Sequence, residues 1–230
     1  YVDLYVGNYH DFTYDNQRFC AEGGSGLQLY CGPEAYDGVA DVFYRNNGDG
    51  TFTEATEAAG LVNGTGKELG VVFGDVDLDG DQDLYLANDK TSNFLYINDG
   101  QGNFEETGLM TGTAYNEDGD VEAGMGVAMG DYDNDKYPDL FITNFQWETN
   151  TLYRNLGDGR FENVTARPGV ADDAYAMRCA VGDFDTDVWP DCVVTCFVPN
   201  RPAHNEGHGP FSEISPAPPI TRPGPGTHWA

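Results

Sequence analysis

Positive charge is scarce in this chain: its 230 residues carry 11 Lys+Arg against 39 Asp+Glu, a formal net charge of −28. Nucleic acid and anionic lipid headgroups are bound through Lys/Arg that displace counterions, so a surface of this sign excludes both as default partners. Long apolar runs are lacking as well. Nothing approaches the ~18 apolar residues of a membrane-spanning helix, and no charged-then-apolar leader precedes a small-residue cleavage site, so the chain reads as soluble, without membrane insertion. An initiator Met is missing too. The chain starts at Tyr1 inside a motif, which reads as a fragment or processed product with any export signal upstream. Disorder is excluded by what is present: 40% hydrophobic residues, including 13 Phe and 14 Tyr, are enough apolar surface for a core.

The 30 glycines follow no Gly-x-y period and point to tight turns between short strands. Two cassettes alternate along the chain. One is an acidic loop entering a strand: Asp75-Val-Asp77-Leu-Asp79-Gly-Asp81-Gln-Asp83, Asp131-Tyr-Asp133-Asn-Asp135-Lys-Tyr137-Pro-Asp139 and Asp183-Phe-Asp185-Thr-Asp187-Val-Trp189-Pro-Asp191, with Asp3 in the tail of a fourth copy. The other is a glycine turn between aromatic strands: Tyr44 to Phe52, Tyr96 to Phe104, Tyr153 to Phe161 and, in altered form, Ala203 to Phe211. The repeat length suits one four-stranded unit, read as strand, acidic loop, strand, connection, strand, glycine turn, strand. Such units bury their faces only against neighbours, which predicts an all-β propeller of antiparallel blades. A β-sandwich would not be expected to repeat both cassettes at one period.

Asp at loop positions 1, 3, 5 and 9, with a backbone carbonyl at position 7, gathers hard oxygen ligands at a spacing suited to Ca²⁺. The bland alternative is a solvated acidic turn, in which the carboxylates would repel one another without a cation. An EF-hand is excluded: position 12 is Leu86, Ile142 and Val194 where that motif has Glu, and the flanks read as strands. Mg²⁺ is less suited, because it keeps its waters.

Through both cassettes, over nearly its whole length, the sequence resembles the FG-GAP/VCBS repeats of integrin-α-type propellers, and the extracellular cartilage-acidic-protein-like proteins that carry an ASPIC/UnbV module. The resemblance implies two to three Ca²⁺ sites. Their ligands would be Asp75, Asp77, Asp79 and Asp83 with the Asp81 carbonyl; Asp131, Asp133, Asp135 and Asp139 with the Tyr137 carbonyl; and Asp183, Asp185, Asp187 and Asp191 with the Trp189 carbonyl, with a partial fourth site at Asp3. Glycine holds position 6 only as Gly80. Lys136 and Val188 replace it, and a β-branched residue suits positive φ poorly, which makes the Asp183 loop the weakest. The resemblance also implies seven blades, about four of them here in residues 1–200 and the others missing from this chain. Residues 201–230 read as a degenerate partial repeat and Pro-rich tail, expected to be poorly ordered because Pro202, Pro210, Pro218 and Pro219 would each remove a strand donor.

From Asp3 to Phe52 is 49 residues, against 21 from Asp83 to Phe104, so the first unit carries an insertion between about 10 and 39. It holds Cys20 and Cys31, which read as a disulfide closing this long connection in an exported protein, the alternative being two thiols in a reducing compartment. Cys179, Cys192 and Cys196 fall on strands and read as small buried residues. Three catalytic lookalikes fail: His204-Asn-Glu-Gly-His208 lacks the zincin Glu, Gly23-Gly-Ser25-Gly-Leu27 lacks the final elbow Gly, and Gly66-Lys67 lacks Ser/Thr.

The functional expectation is therefore a non-enzymatic, calcium-binding scaffold that is secreted, on the cell surface or periplasmic, and binds an extracellular protein or glycan. The rival is the propeller part of a carbohydrate-active enzyme such as a polysaccharide lyase. Because connections alternate ends within a blade, the insertion and the segments of Asp89-Lys90 and Gln146-Trp147-Glu148 should lie opposite the acidic loops. Lys90 and Trp147 are the candidate ligand contacts there, with Trp147 either displayed or packed under its own loop.

Overall fold

The computed structural model of the protein describes residues 1–21, 28–145, 147–165, 175–196, 201–207 and 211–213. The expected blades are present. A three-stranded sheet joins β1 (Leu4–Val6), β4 (Val42–Asn46) and β5 (Phe52–Glu54). Three antiparallel four-stranded sheets follow, each in simple sequential order. These are β6 (Glu68–Gly74), β7 (Asp83–Asn88), β8 (Phe94–Asn98) and β9 (Phe104–Glu106); then β10 (Gly124–Gly130), β11 (Asp139–Asn144), β12 (Thr151–Asn155) and β13 (Phe161–Asn163); then β14 (Ala176–Gly182), β15 (Asp191–Cys196), β16 (Arg201–Asn205) and β17 (Phe211–Glu213). The insertion forms a hairpin of β2 (Phe19–Ala21) and β3 (Gln28–Tyr30), closed by the Cys20–Cys31 disulfide with Cα atoms 5.1 Å apart.

The core lies between sheets, and the period-2 geometry of a strand explains how. In β7, Leu84 and Leu86 pack toward Phe43, Ala59 and Leu61, while Tyr85 and Ala87 pack toward Leu140, Ile142 and Tyr153 of the next sheet. In β11 the same division sends Leu140 and Ile142 one way and Phe141 the other, toward Cys192 and Val194. Both strands are buried throughout. Each such side chain contributes about 1.5–3 kcal/mol on burial, and none of it is gained until a neighbouring blade is in place. Where the inner strands converge, a Cβ on Gly70 would lie 2.9 Å from the Gly126 backbone, so only glycine allows that approach.

The proline content of the last repeat does not prevent its strands from forming. Pro202 sits in β16 opposite Val193. At the matching positions Phe43 donates its N–H to Thr56 Oγ1 and Leu152 to Thr165 Oγ1, outside the strand ladder. Proline here therefore removes a side-chain cap and no ladder bond. The tail beyond 213 lies outside the described residues.

Between the first two blades sits a buried polar group. Tyr5 donates its hydroxyl to Asp41 Oδ2 (2.5 Å), and Asn63 Nδ2 donates to Asp41 Oδ2 (2.8 Å) and Glu68 Oε1 (3.0 Å). Burial, with the Asp41 charge adding, holds the Glu68 carboxyl well above its usual range. The folded chain thus keeps a proton that the unfolded chain releases above a pKa of about 4.3, so this stabilising contribution is complete below that value and is lost as pH rises through the folded one. Glu68→Gln should gain about 1–2 kcal/mol on the wild type between pH 5 and 9 in urea unfolding. Parallel pH profiles for the two proteins would contradict this.

Candidate functional site

The three acidic loops have one conformation. Position 1 accepts the N–H groups of positions 5 and 6: Asp75 from Asp79 and Gly80 (3.1 and 3.0 Å), Asp131 from Asp135 and Lys136 (3.0 and 2.7 Å), Asp183 from Asp187 and Val188 (3.2 and 3.0 Å), with Asp183 also accepting the Thr186 N–H (2.7 Å). The carboxylate at position 5 accepts the N–H of position 7, namely Asp81 (3.0 Å), Tyr137 (3.0 Å) and Trp189 (2.9 Å). Positions 4 and 6 carry positive φ every time, with Leu78 at 62° and Gly80 at 99°, Asn134 at 56° and Lys136 at 85°, and Thr186 at 68° and Val188 at 79°. Val188 thus adopts the strained backbone that its branched side chain disfavours, at a cost of about 1–3 kcal/mol. The Asp183 loop keeps its shape nonetheless.

Each loop gathers carboxylates 1, 3 and 9: Asp75, Asp77 and Asp83; Asp131, Asp133 and Asp139; Asp183, Asp185 and Asp191 offer oxygens within 4.8 Å of one another. Position 5 (Asp79, Asp135, Asp187) stands outside these trios. Asp3 occupies the place of position 9 in the first blade, where its Oδ1 accepts the Asn46 N–H (2.8 Å), and it joins no such trio among the described residues.

Position 9 is a clamp as well as a candidate ligand. Asp139 is 1% exposed; its Oδ2 accepts the Tyr132 N–H (2.9 Å) and its Oδ1 the Asn155 N–H (2.8 Å). Asp83 and Asp191 do the same with Val76 and Asn98, and with Phe184 and Asn205. The asparagine at the end of the third strand continues this network. Asn155 Nδ2 donates to Val76 O in the preceding blade (2.7 Å), and Asn205 Nδ2 to Tyr132 O (2.7 Å), while their Oδ1 atoms accept Gly157 and Gly207 N–H. These staples between blades escaped the reading of the sequence, although Asn46, Asn98, Asn155 and Asn205 recur in every cassette.

The trios suit a hard cation. Burial pushes the Asp83 carboxyl up to about 6 and Asp139 up to about 8, with neighbouring loop carboxylates adding and the backbone N–H bonds opposing. Asp133 Oδ1 is buried with no hydrogen-bond partner, which is an acceptor that a cation would satisfy. Arg154 supplies part of the missing positive charge in the third blade, its Nε 2.7 Å from Asp133 Oδ2 and its Nη2 3.1 Å from Asp135 Oδ2.

At the opposite end the structure brings the expected segments together. Tyr9 hydrogen-bonds Asp89, and Lys67 Nζ donates to Pro33 O of the insertion (2.8 Å). Lys90 is ion-paired with Glu148, whose Oε2 accepts the Ala123 N–H (2.6 Å). Its ammonium therefore ties neighbouring blades together while its side chain stays partly exposed. Trp147 is displayed, 81% exposed, at an open groove of about 650 Å³ whose other walls include Asn116, Glu122, Asn150 and Thr165. The insertion adds Tyr14 and Tyr30, both exposed.

Four-stranded antiparallel sheets, each with an acidic loop between its first two strands, define a propeller built from acidic-loop repeats. The FG-GAP-like repeat model matches residues 27–86, 75–142 and 131–194, and the chain belongs to that family. Human cartilage acidic protein 1 is 24% identical over 193 residues, covering 75% of this chain and 28% of that protein. The solved structure of an Agrocybe aegerita lectin that specifically recognises non-reducing terminal N-acetylglucosamine is 20% identical, with a TM-score of 0.43 over 76% of this chain and 46% of that one. The chain thus spans less than half the length of either. Among the described residues no helix is long and apolar enough to cross a membrane.

Proposed function

We propose that this chain is part of a calcium-stabilised, non-enzymatic propeller, secreted, displayed on the cell surface or periplasmic, that binds a protein or glycan ligand on the end opposite its acidic loops. The observation that carries the reading is the exposed Trp147 at a groove rimmed by amides, hydroxyls and carboxylates, on a scaffold whose other end is fixed by repeated loops. An exposed indole stacks on sugar rings or anchors a partner, and the polar rim supplies orientation. Calcium would be held by Asp75, Asp77 and Asp83, by Asp131, Asp133 and Asp139, and by Asp183, Asp185 and Asp191, with positions 5 and 7 completing each shell. Bound there, it supplies the positive charge that these clustered carboxylates lack, at extracellular-type affinity on the order of 10⁻⁴ to 10⁻³ M.

An array of glycans and extracellular proteins tests the ligand face. A hit should fall at least tenfold in affinity with Trp147→Ala and be lost on deletion of residues 12–38, while calcium still raises the melting temperature of both variants. Binding that survives both changes would move the ligand site elsewhere.

A further inference from the structure

The fourth blade differs from the others at one position that faces its acidic loop. The residue after the first aromatic position of the glycine-turn cassette is Arg45, Ile97, Arg154 and, in the fourth blade, His204. Arg154 lies against Asp133 and Asp135 and offers only donors. His204 takes the same place against Asp185 and Asp187, with Nε2 2.7 Å from Asp185 Oδ2 and 3.6 Å from Asp187 Oδ2. An imidazole nitrogen has a lone pair to give, and that changes what the loop can hold.

We propose that His204, Asp185 and Asp187 form a mixed nitrogen and oxygen site for a borderline divalent cation of the Zn²⁺ class, separate in chemistry from the all-oxygen loops. Four observations support it. The three donor atoms lie within 4.8 Å of one another. His204 Nε2 is shut off from solvent and faces Asp185 Oδ2 at 2.7 Å, so the only groups it meets are carboxylate oxygens, which a proton or a metal ion on that nitrogen would serve. The far oxygens of both aspartates are already engaged, Asp185 Oδ1 by the Asp187 N–H and Asp187 Oδ1 by the Trp189 N–H, which turns the Oδ2 atoms toward the imidazole. Finally, Glu206 Oε1 faces Nδ1 at 3.5 Å, and it also accepts the Ser212 hydroxyl. A carboxylate on Nδ1 holds the proton on that nitrogen and leaves Nε2 free to ligate, the arrangement common behind zinc-bound histidines.

The spacing also fits. Tetrahedral donors about 2.0–2.2 Å from Zn²⁺ lie roughly 3.3–3.5 Å apart, and the two Nε2 to oxygen distances bracket that range. Water would take the fourth position. Asp185 also belongs to the trio proposed for calcium and Asp187 is position 5 of the same loop, so a cation at His204 would share both carboxylates with that loop, taking their Oδ2 atoms while calcium keeps Asp183, Asp191 and the Trp189 carbonyl to itself.

Isothermal titration of the protein with Zn²⁺, in excess Ca²⁺ that fills the all-oxygen loops, tests the site. One Zn²⁺ equivalent is expected for the wild type, with affinity at least tenfold lower in His204→Ala, lost in His204→Arg, and about tenfold lower in Glu206→Gln. Calcium-dependent melting should be alike in all of them, which separates failure here from failure of the calcium sites. An unchanged Zn²⁺ equivalent in His204→Ala, or none in the wild type, overturns the proposal. Should the variants fold poorly, the imidazole ¹⁵N resonances of the wild type decide instead. Zn²⁺ should shift Nε2 of His204 while Nδ1 stays protonated, and unmoved resonances overturn the assignment.

Discussion

Asp139→Asn should lose nearly all of the stabilisation that calcium gives the third blade, while costing only about 1–2 kcal/mol when calcium is removed. The asymmetry follows from the two jobs of this side chain. As a clamp it accepts the Tyr132 and Asn155 N–H groups, and an amide keeps one of those bonds but turns its own donor toward the other. Against that loss stands the relief of a buried carboxyl that is pushed up to about 8, so the metal-free penalty is small. As a ligand it cannot be replaced in charge. At calcium 100 times the dissociation constant a filled site adds about 2.7 kcal/mol, and that increment should vanish. Urea unfolding in calcium and in EDTA reads both numbers. A calcium increment equal to wild type would show that Asp139 is a clamp only.

Asn155→Ala is expected to cost about 2–4 kcal/mol in either buffer. It removes the Nδ2 bonds to Val76 O and Pro138 O and the acceptor for Gly157 N–H, in a side chain 1% exposed, and leaves the Val76 carbonyl without that bond. Asn155→Asp should be at least as damaging despite its nearly equal volume, because it sets a carboxylate against two carbonyls and Asp139. Asn98 bonds only Gln82 O through Nδ2 (3.2 Å) among the described residues, so Asn98→Ala should cost about 1 kcal/mol less than Asn155→Ala. Thermal and chemical melts of the three variants decide it. Near-wild-type stability of Asn155→Asp would refute the staple.

The blades, the acidic loops and the disulfide could be read from residues 1–200 because each has a local cause: alternating apolar residues, aspartates at fixed spacing, and two cysteines in one insertion. Positive φ at loop position 6 was legible from Gly80, whereas its survival at Val188 was not, since the hydrogen bonds to Asp183 that impose it are a property of the folded loop. Lys90 read as an open cation because its partner, Glu148, lies 58 residues away on the next blade. The double role of Asp83, Asp139 and Asp191 was hidden because one of each residue's two backbone partners, Asn98, Asn155 or Asn205, lies at the far end of the following strand. Asn98, Asn155 and Asn205 were visible as a repeat, but their contact across blades depends on how sheets stack. Pro202 looked like a strand breaker until the strand's hydrogen-bonding direction was known.

Calcium content measured by equilibrium dialysis of the EDTA-stripped protein against millimolar Ca²⁺ tests the central claim most directly. Two to three equivalents per chain are expected, falling by one with Asp77→Asn and by one more with Asp133→Asn. Less than one equivalent, or a count that neither substitution changes, would contradict the reading of these loops as calcium sites.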